Sequence, residues 1–198
     1  MNKFIIAVVA GATMACGSAF AQDFQEGNWL VRARAVHLDS ANKDSTGLDL
    51  SINNKWLPEV DFTYFINKNL AVELVLTVPQ KHTLSAGGAA IGSLKHLPPT
   101  LTLQYHFDAP GFKPYVGAGV NYTRFSSVDV LGGAADVKRN SYGLALQVGV
   151  DIPVAKDMYL NLDVKKVQIG TDVRVAGSKV GEFKVNPLLV GVGLGWRF

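Results

Sequence analysis

The chain has 198 residues, a formal net charge of +3 and a single cysteine. Its 19 lysines and arginines are scattered and form no basic run, which argues against a nucleic-acid-binding protein. Its 20 glycines, together with the lack of any sustained helical period, argue against a helical fold.

The chain begins with a pattern typical of a secretory signal peptide. Lys3 precedes an apolar run over residues 4–12, and Ala19, Phe20 and Ala21 form a small-x-small cleavage site. The run is too short to span a bilayer. Cys16 raises the alternative of a lipoprotein site, but no aliphatic residue stands at the expected position before it. We therefore expect a signal peptide over residues 1–21 and one domain over residues 22–198, which carries no cysteine.

Eight segments of the remaining chain alternate between large apolar residues and small or polar ones. They cover residues 29–38, 56–66, 70–78, 97–107, 114–125, 142–152, 158–169 and 188–198. A period of two places the apolar residues on one face of a β-strand. The sequence therefore predicts an all-β fold of eight strands.

The connections between these segments alternate in length. Residues 67–69, 108–113 and 153–157 form short connections that carry Asn, Asp, Pro or Gly, whereas residues 39–55, 79–96, 126–141 and 170–184 form long ones. Short turns on one side and long loops on the other are typical of an antiparallel transmembrane β-barrel of the bacterial outer membrane. The predicted fold is thus an eight-stranded barrel with short periplasmic turns and four longer extracellular loops.

A soluble β-sandwich would also alternate, but its outward face would carry Lys and Glu. Here the faces opposite the apolar ones are small and rich in glycine, which suits a crowded barrel interior. Aromatic residues collect at the segment ends, as in the girdles of membrane barrels. They are Trp29, Trp56, Tyr64, Tyr105, Phe107, Tyr122, Tyr142, Trp196 and Phe198.

Several stretches resemble the outer membrane protein W (OmpW) family. They are HLPPTLTLQYHF (96–107), PYVGAGVNYTRF (114–125), YGLALQVGVD (142–151), NWLVRARAV near the start, and an aromatic residue after the arginine at the end. The resemblance implies an eight-stranded barrel for the passage of small hydrophobic compounds. It also implies that Trp196 and Phe198 form the signal by which the barrel assembly machinery recognises the last strand.

Strand direction predicts how deep each inward side chain lies. The expected charged floor, near the periplasm, consists of Arg32, Arg34, Asp61, Glu73, Asp163, Lys165 and Arg197, with Gln104, His106, Asp151 and Asn161 at similar depth. The expected apolar upper lumen consists of Leu57, Val75, Pro98, Val167, Ile169, Val185 and Leu189, with Thr77 and Pro187. The floor charges either select ions or pair across a narrow barrel, and pairing is favoured because buried charges need partners. The apolar part either holds a hydrophobic solute or is simple packing.

Prolines add a possible route through the wall. Pro98, Pro99 and Pro187 are expected inside strands near the outer end, where each removes a ladder donor. They either open a lateral exit to the bilayer or only end short strands.

No catalytic motif surrounds His37, His82, His96 or His106, and we predict no catalytic, metal or cofactor site. The predicted partners are outer-membrane lipid, the barrel assembly machinery and small hydrophobic solutes; the alternative function is a structural, adhesive or receptor barrel.

Overall fold

A computed structural model describes residues 28–198 of the chain. The predicted signal peptide and Cys16 lie outside the described residues. Strands in chain order are β1 Trp29–Asp39, β2 Lys43–Asp44, β3 Leu50–Ile52, β4 Lys55–Phe65, β5 Leu70–Thr77, β6 Gln80–Ala86, β7 Ala89–Leu97, β8 Thr100–His106, β9 Lys113–Val130, β10 Ala135–Val137, β11 Asn140–Ala155, β12 Met158–Val167, β13 Gly170–Val175, β14 Ser178–Lys184 and β15 Leu188–Arg197. A 3₁₀ turn over Leu131–Gly133 precedes β10.

Eight of these strands close into an antiparallel barrel, as predicted. The order around the wall is β1, β4, β5, β8, β9, β11, β12 and β15, and β15 pairs with β1 to close the ring. Closure leaves no strand edge in the wall, so backbone amides and carbonyls bond to neighbouring strands where water is absent. The large apolar residues point outward, and every aromatic residue of the predicted girdle is more than a third exposed.

The short connections are tight turns. In the β4–β5 turn, the side-chain oxygen of Asn67 accepts hydrogen bonds from the backbone amides of Asn69 and Leu70, at 2.9 and 2.8 Å. Asp157 adopts a positive φ of 59° between β11 and β12. Asn and Asp tolerate such geometry because their short side chains bond the local backbone.

The four long connections contain further strands that the sequence analysis did not predict. They contain β2, β3, β6, β7, β10, β13 and β14, which pair with one another and with the upper part of β9 to raise the wall beyond the membrane. Their inward residues form the main apolar cluster, which includes Leu50, Leu84, Leu94, Phe125 and Phe183. We call this part of the molecule the upper chamber.

Side chains, rather than a backbone ladder, join β2 to β3 in the upper chamber. Asn42 donates from Nδ2 to the carbonyl of Ile52 at 3.2 Å and accepts from its amide at 2.9 Å. Asp44 accepts from the amide of Leu50 at 3.2 Å. The two side chains therefore complete the ring of strands above the membrane.

The prediction that three prolines lie inside strands is wrong. Pro98 and Pro99 form the link between β7 and β8, and Pro187 precedes β15. A proline has no amide to donate, so each strand ends beside it instead of passing through it. At Pro187 the pairing nevertheless continues, because its carbonyl accepts a hydrogen bond from the amide of Val167 at 3.2 Å.

No helix among residues 28–198 is long and apolar enough to cross a membrane.

Candidate functional site

The lower half of the lumen holds a network of buried charges. Its cations are Arg32, Arg34 and Lys165, and its carboxylates are Glu59, Asp61, Glu73, Asp151 and Asp163. Arg32 lies 2.7 Å from Asp151 and 2.9 Å from Asp61. Arg34 lies 2.8 Å from Glu59, and the side chains of all of these residues are at most 5% exposed. Ion pairs thus compensate the loss of hydration that each charge suffers on burial.

Neutral groups supply hydrogen bonds to the carboxylates that outnumber the cations. The Tyr115 hydroxyl and the Gln147 amide donate to Asp163 at 2.8 and 2.7 Å. The Asn161 amide donates to Asp151 at 2.9 Å. The guanidinium of Arg32 also lies 5.2 Å from the centre of the Tyr115 ring. These side chains cross the lumen from opposite walls and fill the floor.

Glycines on the facing strands make room for this network. A Cβ on Gly149 would lie 2.4 Å from the Tyr115 ring, and one on Gly193 would lie 2.7 Å from the side chain of Arg34. Such contacts are far inside van der Waals distance, so a larger residue would push the charged side chains out of place. The small inward faces of β11 and β15 are therefore required by the long side chains opposite them.

The structure brings together most, but not all, of the predicted floor. Arg32, Arg34, Asp61, Glu73, Asp163 and Lys165 belong to the network. Arg197 lies apart from it, over the ring of Phe65 at 4.1 Å. Sequence reasoning left Glu59 and Tyr115 out of the floor, although each shares the inward face of its strand with a residue already assigned inward. Strand alternation alone would have found both.

Above the network the lumen narrows to a cavity of about 20 Å³, room for about one water molecule. Its lining includes five residues of the predicted apolar lumen, namely Leu57, Pro98, Val167, Ile169 and Leu189. Gln80, Thr100, Asn121 and Lys165 also line it, so the lining combines apolar and polar side chains. Val75 is buried without lining the cavity, and Val185 belongs to the apolar cluster of the upper chamber.

Two histidines stack inside the upper chamber. The rings of His82 and His96 are nearly parallel, with centroids 4.6 Å apart, and each ring is 1% exposed. Burial, followed by the nearby charges, lowers the pKa of His96 to about 3, and burial also lowers the pKa of His82. Both rings are therefore neutral near pH 7. Among residues 28–198, no group of three or more His, Cys, Asp or Glu is placed to hold a metal ion.

The backbone ladder is interrupted just above the membrane wall on one side of the barrel. Pairing between β5 and β8 ends at Val75 and Thr100, and pairing between β6 and β7 begins at Gln80 and His96. Residues 76–79 face residues 97–99 across this interruption, and the seven residues include three prolines. The side chain of Asn121 donates to the carbonyls of Pro98 and Pro99 at 3.2 and 3.1 Å, and the backbone amide of Tyr122 also donates to the carbonyl of Pro99, at 3.1 Å.

A groove of about 710 Å³ lies on the outside of the wall next to this interruption. Its lining is mostly outward-facing and apolar, and includes Leu101, Val120 and Tyr142. Thr100 and Asn121 line both this groove and the internal cavity. These two residues are paired neighbours at the upper end of the β8–β9 ladder, so the groove and the cavity lie on opposite faces of the wall at the same height.

The predicted assembly residues lie at the seam where β15 meets β1. Trp196 and Phe198 point outward and are 39% and 73% exposed. The amide of Phe198 donates to the carbonyl of Trp29 at 2.8 Å, and the amide of Trp29 donates back at 3.2 Å. Phe198 is thus part of the pairing that closes the barrel.

Comparison with known proteins agrees with this architecture. The profile of the OmpW family matches residues 25–198. The outer membrane protein W of Vibrio cholerae is 32% identical to the chain over the full length of both. The dibenzothiophene metabolism operon protein PahQ of Pseudomonas aeruginosa is 31% identical, over 82% of the chain and 80% of that protein.

A solved structure shares the same fold. The crystal structure of outer membrane protein OprG from Pseudomonas aeruginosa superposes with a TM-score of 0.76 at 25% identity, covering 87% of the chain and 96% of OprG. The family profile, the full-length relatives and the barrel geometry all indicate the same family. The chain belongs to the OmpW family of β-barrels of the bacterial outer membrane.

Proposed function

We propose that the barrel lets small hydrophobic molecules cross the outer membrane, and that they leave the lumen sideways through the proline-rich interruption of the wall. The observation that carries the proposal is the interruption of the backbone ladder between residues 76–79 and 97–99, which contains three prolines and lies beside an apolar groove on the membrane face. The role needs no catalytic group, and we assign none.

The sealed floor supports a sideways route. A solute that moved straight down the axis would have to cross a network in which eight charged side chains are paired and buried. An apolar molecule gains nothing there and would disrupt paired charges, which is costly in a low-dielectric interior. The same network blocks water and ions, so the route favours solutes that partition into lipid.

The interruption supports an opening at this point. Opening a wall elsewhere would break backbone hydrogen bonds between two strands, whereas Pro79, Pro98 and Pro99 have no amide hydrogen to lose. The carbonyls of Pro98 and Pro99 accept hydrogen bonds from the side chain of Asn121, and also from the Thr100 hydroxyl and the Tyr122 amide, so no backbone bond spans the interruption at these positions. The relative PahQ, named for a dibenzothiophene metabolism operon, also fits an apolar substrate class.

Uptake of an alkane-like tracer into vesicles tests the route. We expect Leu57→Asp or Leu189→Asp to suppress uptake while the barrel still folds, because a charge beside the internal cavity repels an apolar solute. We also expect Val75→Asp to suppress uptake, because Val75 lies at the last paired position below the interruption. Neutralising Arg34 and Asp61 together, as Arg34→Gln with Asp61→Asn, should leave tracer uptake nearly intact and raise ion leakage. Loss of uptake only in the floor variant would mean an axial route.

Restoring the ladder gives a second test. Pro98→Ala with Pro99→Ala returns two amide donors to the interruption, so tracer release should slow. Pro187→Ala is the matched control, because pairing already continues at that position. Equal rates in all three proteins would contradict lateral exit. If wild-type protein itself gives no uptake above empty vesicles, the barrel is a scaffold or receptor instead.

We also propose that β15 carries the signal read by the barrel assembly machinery. Phe198→Ala removes an outward side chain at the closing seam, whereas Arg197→Ala removes one that lies over the Phe65 ring. The amount of heat-modifiable barrel in outer-membrane fractions should fall much further for Phe198→Ala. Equal insertion of both variants would remove the proposed signal.

A further inference from the structure

A row of cations lies on the outer face of the wall, just above the membrane. Lys81 of β6 and Lys95 of β7 are direct cross-strand partners, and Arg124 of β9 faces outward beside them, opposite Leu97. We call Lys81, Lys95 and Arg124 the cationic row.

The cationic row lacks acidic partners among the described residues. The β6–β7 hairpin contains no Asp or Glu, and the nearest facing carboxylate, Asp129, lies opposite Ser93. The exposed ion pairs of residues 28–198 use other cations: on the β13–β14 hairpin, for example, Lys179 lies 2.7 Å from Asp172. Like charges directly opposite each other on paired strands are destabilising. The pair formed by Lys81 and Lys95 therefore calls for an anion from outside the chain.

The height of the row indicates which anion. Tyr122 of the aromatic girdle precedes Arg124 by two residues on the same face of β9, about 7 Å lower. Girdle aromatics mark the boundary between acyl chains and headgroups. The cationic row thus lies at headgroup height, and the apolar groove of about 710 Å³ lies beneath Arg124, lined by Val120 and Tyr122.

We propose that the cationic row and this groove form a binding site for a membrane lipid of the outer leaflet whose headgroup carries phosphate monoesters. The ammonium and guanidinium groups bind the phosphates, as Lys and Arg do at charge-assisted sites. An acyl chain of the same lipid lies in the groove. The lipid supplies the charge that the pair of Lys81 and Lys95 lacks, and so stabilises the hairpin next to the proposed exit. The groove adjoins the proposed exit, but binding of the lipid does not depend on transport.

Lipid retention tests the proposal directly. The full chain is placed in phosphatidylcholine nanodiscs containing a minor fraction of diphosphoryl lipid A, extracted gently, and the bound lipid A is counted by mass spectrometry. Lys81→Gln with Lys95→Gln should reduce the affinity about fivefold per charge removed. Lys179→Gln with Lys184→Gln is the matched control, because it removes the same charge from cations that already have partners. We expect retention in this control to equal that of the wild type.

Two further measurements separate the possible outcomes. In neutral detergent without phosphate lipid, the Lys81→Gln and Lys95→Gln variant should unfold at the same temperature as the wild type or higher, since it lacks the like-charge pair. Adding diphosphoryl lipid A should stabilise the wild type and not this variant. Equal retention by both double variants would overturn the site. Equally strong competition by the deacylated, water-soluble phosphosugar would also overturn it, because the acyl groove would then contribute nothing.

Discussion

The lower lumen and the upper chamber are both closed, but different forces close them. In the lower lumen eight charged side chains pair across the barrel, inside a wall of continuous backbone ladders. In the upper chamber apolar side chains pack together inside strands that are short, partly interrupted and, between β2 and β3, joined by Asn42 and Asp44. A charged network is costly to open by any step, whereas an apolar cluster can admit an apolar solute by rearranging its packing.

The difference assigns separate tasks to the two regions. In the proposed route, the lower lumen is the seal and the upper chamber is the part that rearranges. The interrupted wall and its groove lie at the boundary between them. Changes to the lower lumen should therefore act on the stability of the whole barrel, and changes to the upper chamber should act locally.

The largest effect is expected from Arg32→Met in the lower lumen. The change keeps an unbranched apolar stem but leaves Asp151 without a cation and Asp61 with Arg34 alone, which costs about 3–5 kcal/mol of unfolding free energy. Urea unfolding in micelles measures it. Lys68→Met is the control, because its partner Asp108 lies in an exposed turn. A barrel as stable as the wild type after Arg32→Met would show that the network does not hold the floor.

Leu94→Ala in the upper chamber should cost about 2–5 kcal/mol of packing energy, but only locally. Hydrogen exchange should quicken in β6, β7 and the upper part of β9, while β12 and β15 keep their protection. Leu103→Ala, on the outward face of β8, serves as a control that leaves the chamber packing intact. Uniform loss of protection after Leu94→Ala would mean that the two regions unfold as one.

Acid should loosen the upper chamber through its histidines. Folded His96 has a pKa of about 3 and unfolded histidine one of 6.5, so the unfolded form binds more protons between these values. This contribution to stability is therefore complete above pH 6.5 and is lost as the pH falls from 6.5 toward 3. Measuring the hydrogen-exchange rates of β6 and β7 as a function of pH tests this loss of stability. The dependence should vanish in His82→Leu with His96→Leu and persist in the control His37→Leu.

The smallest effect is expected at the join between β2 and β3. Asn42→Gly keeps the positive φ of 44° accessible but removes both hydrogen bonds to Ile52, which should cost about 1–2 kcal/mol. Proteolysis of intact cells should then cut faster within residues 45–49. Ser178→Gly, in the β13–β14 hairpin, is the control. Unchanged cleavage in Asn42→Gly would mean that the bond from Leu50 to Asp44 is enough to hold β2 to β3.

Much of this architecture is visible in the sequence because strand alternation is a local signal. The membrane strands, their inward faces and the paired floor follow from residues such as Arg32 and Asp61, whose parity fixes their side of the wall. The strands of the upper chamber were predicted as loops, since segments such as residues 84–93 carry small Ala, Gly and Ser on both faces. Their pairing depends on partners far along the chain.

The proline positions and the cationic row escaped sequence reasoning for a related reason. Alternation could not tell whether Pro98 lies inside a strand or between two, because that depends on where the facing strands stop pairing. Lys81 and Lys95 are 14 positions apart, and their like-charge pairing becomes visible only when the hairpin register is known. Register depends on turns and on long-range packing, which one sequence does not reveal.

The most direct test of the account compares two solutes in one preparation. Vesicles carrying the wild-type barrel receive an alkane-like tracer and a polar sugar of similar size, and the entry of both is followed together. The account predicts that tracer uptake exceeds that of empty vesicles, while sugar entry matches them, because the paired floor seals the axis. Sugar entry that rises in step with tracer uptake would contradict it, since both solutes would then share an open axial pore.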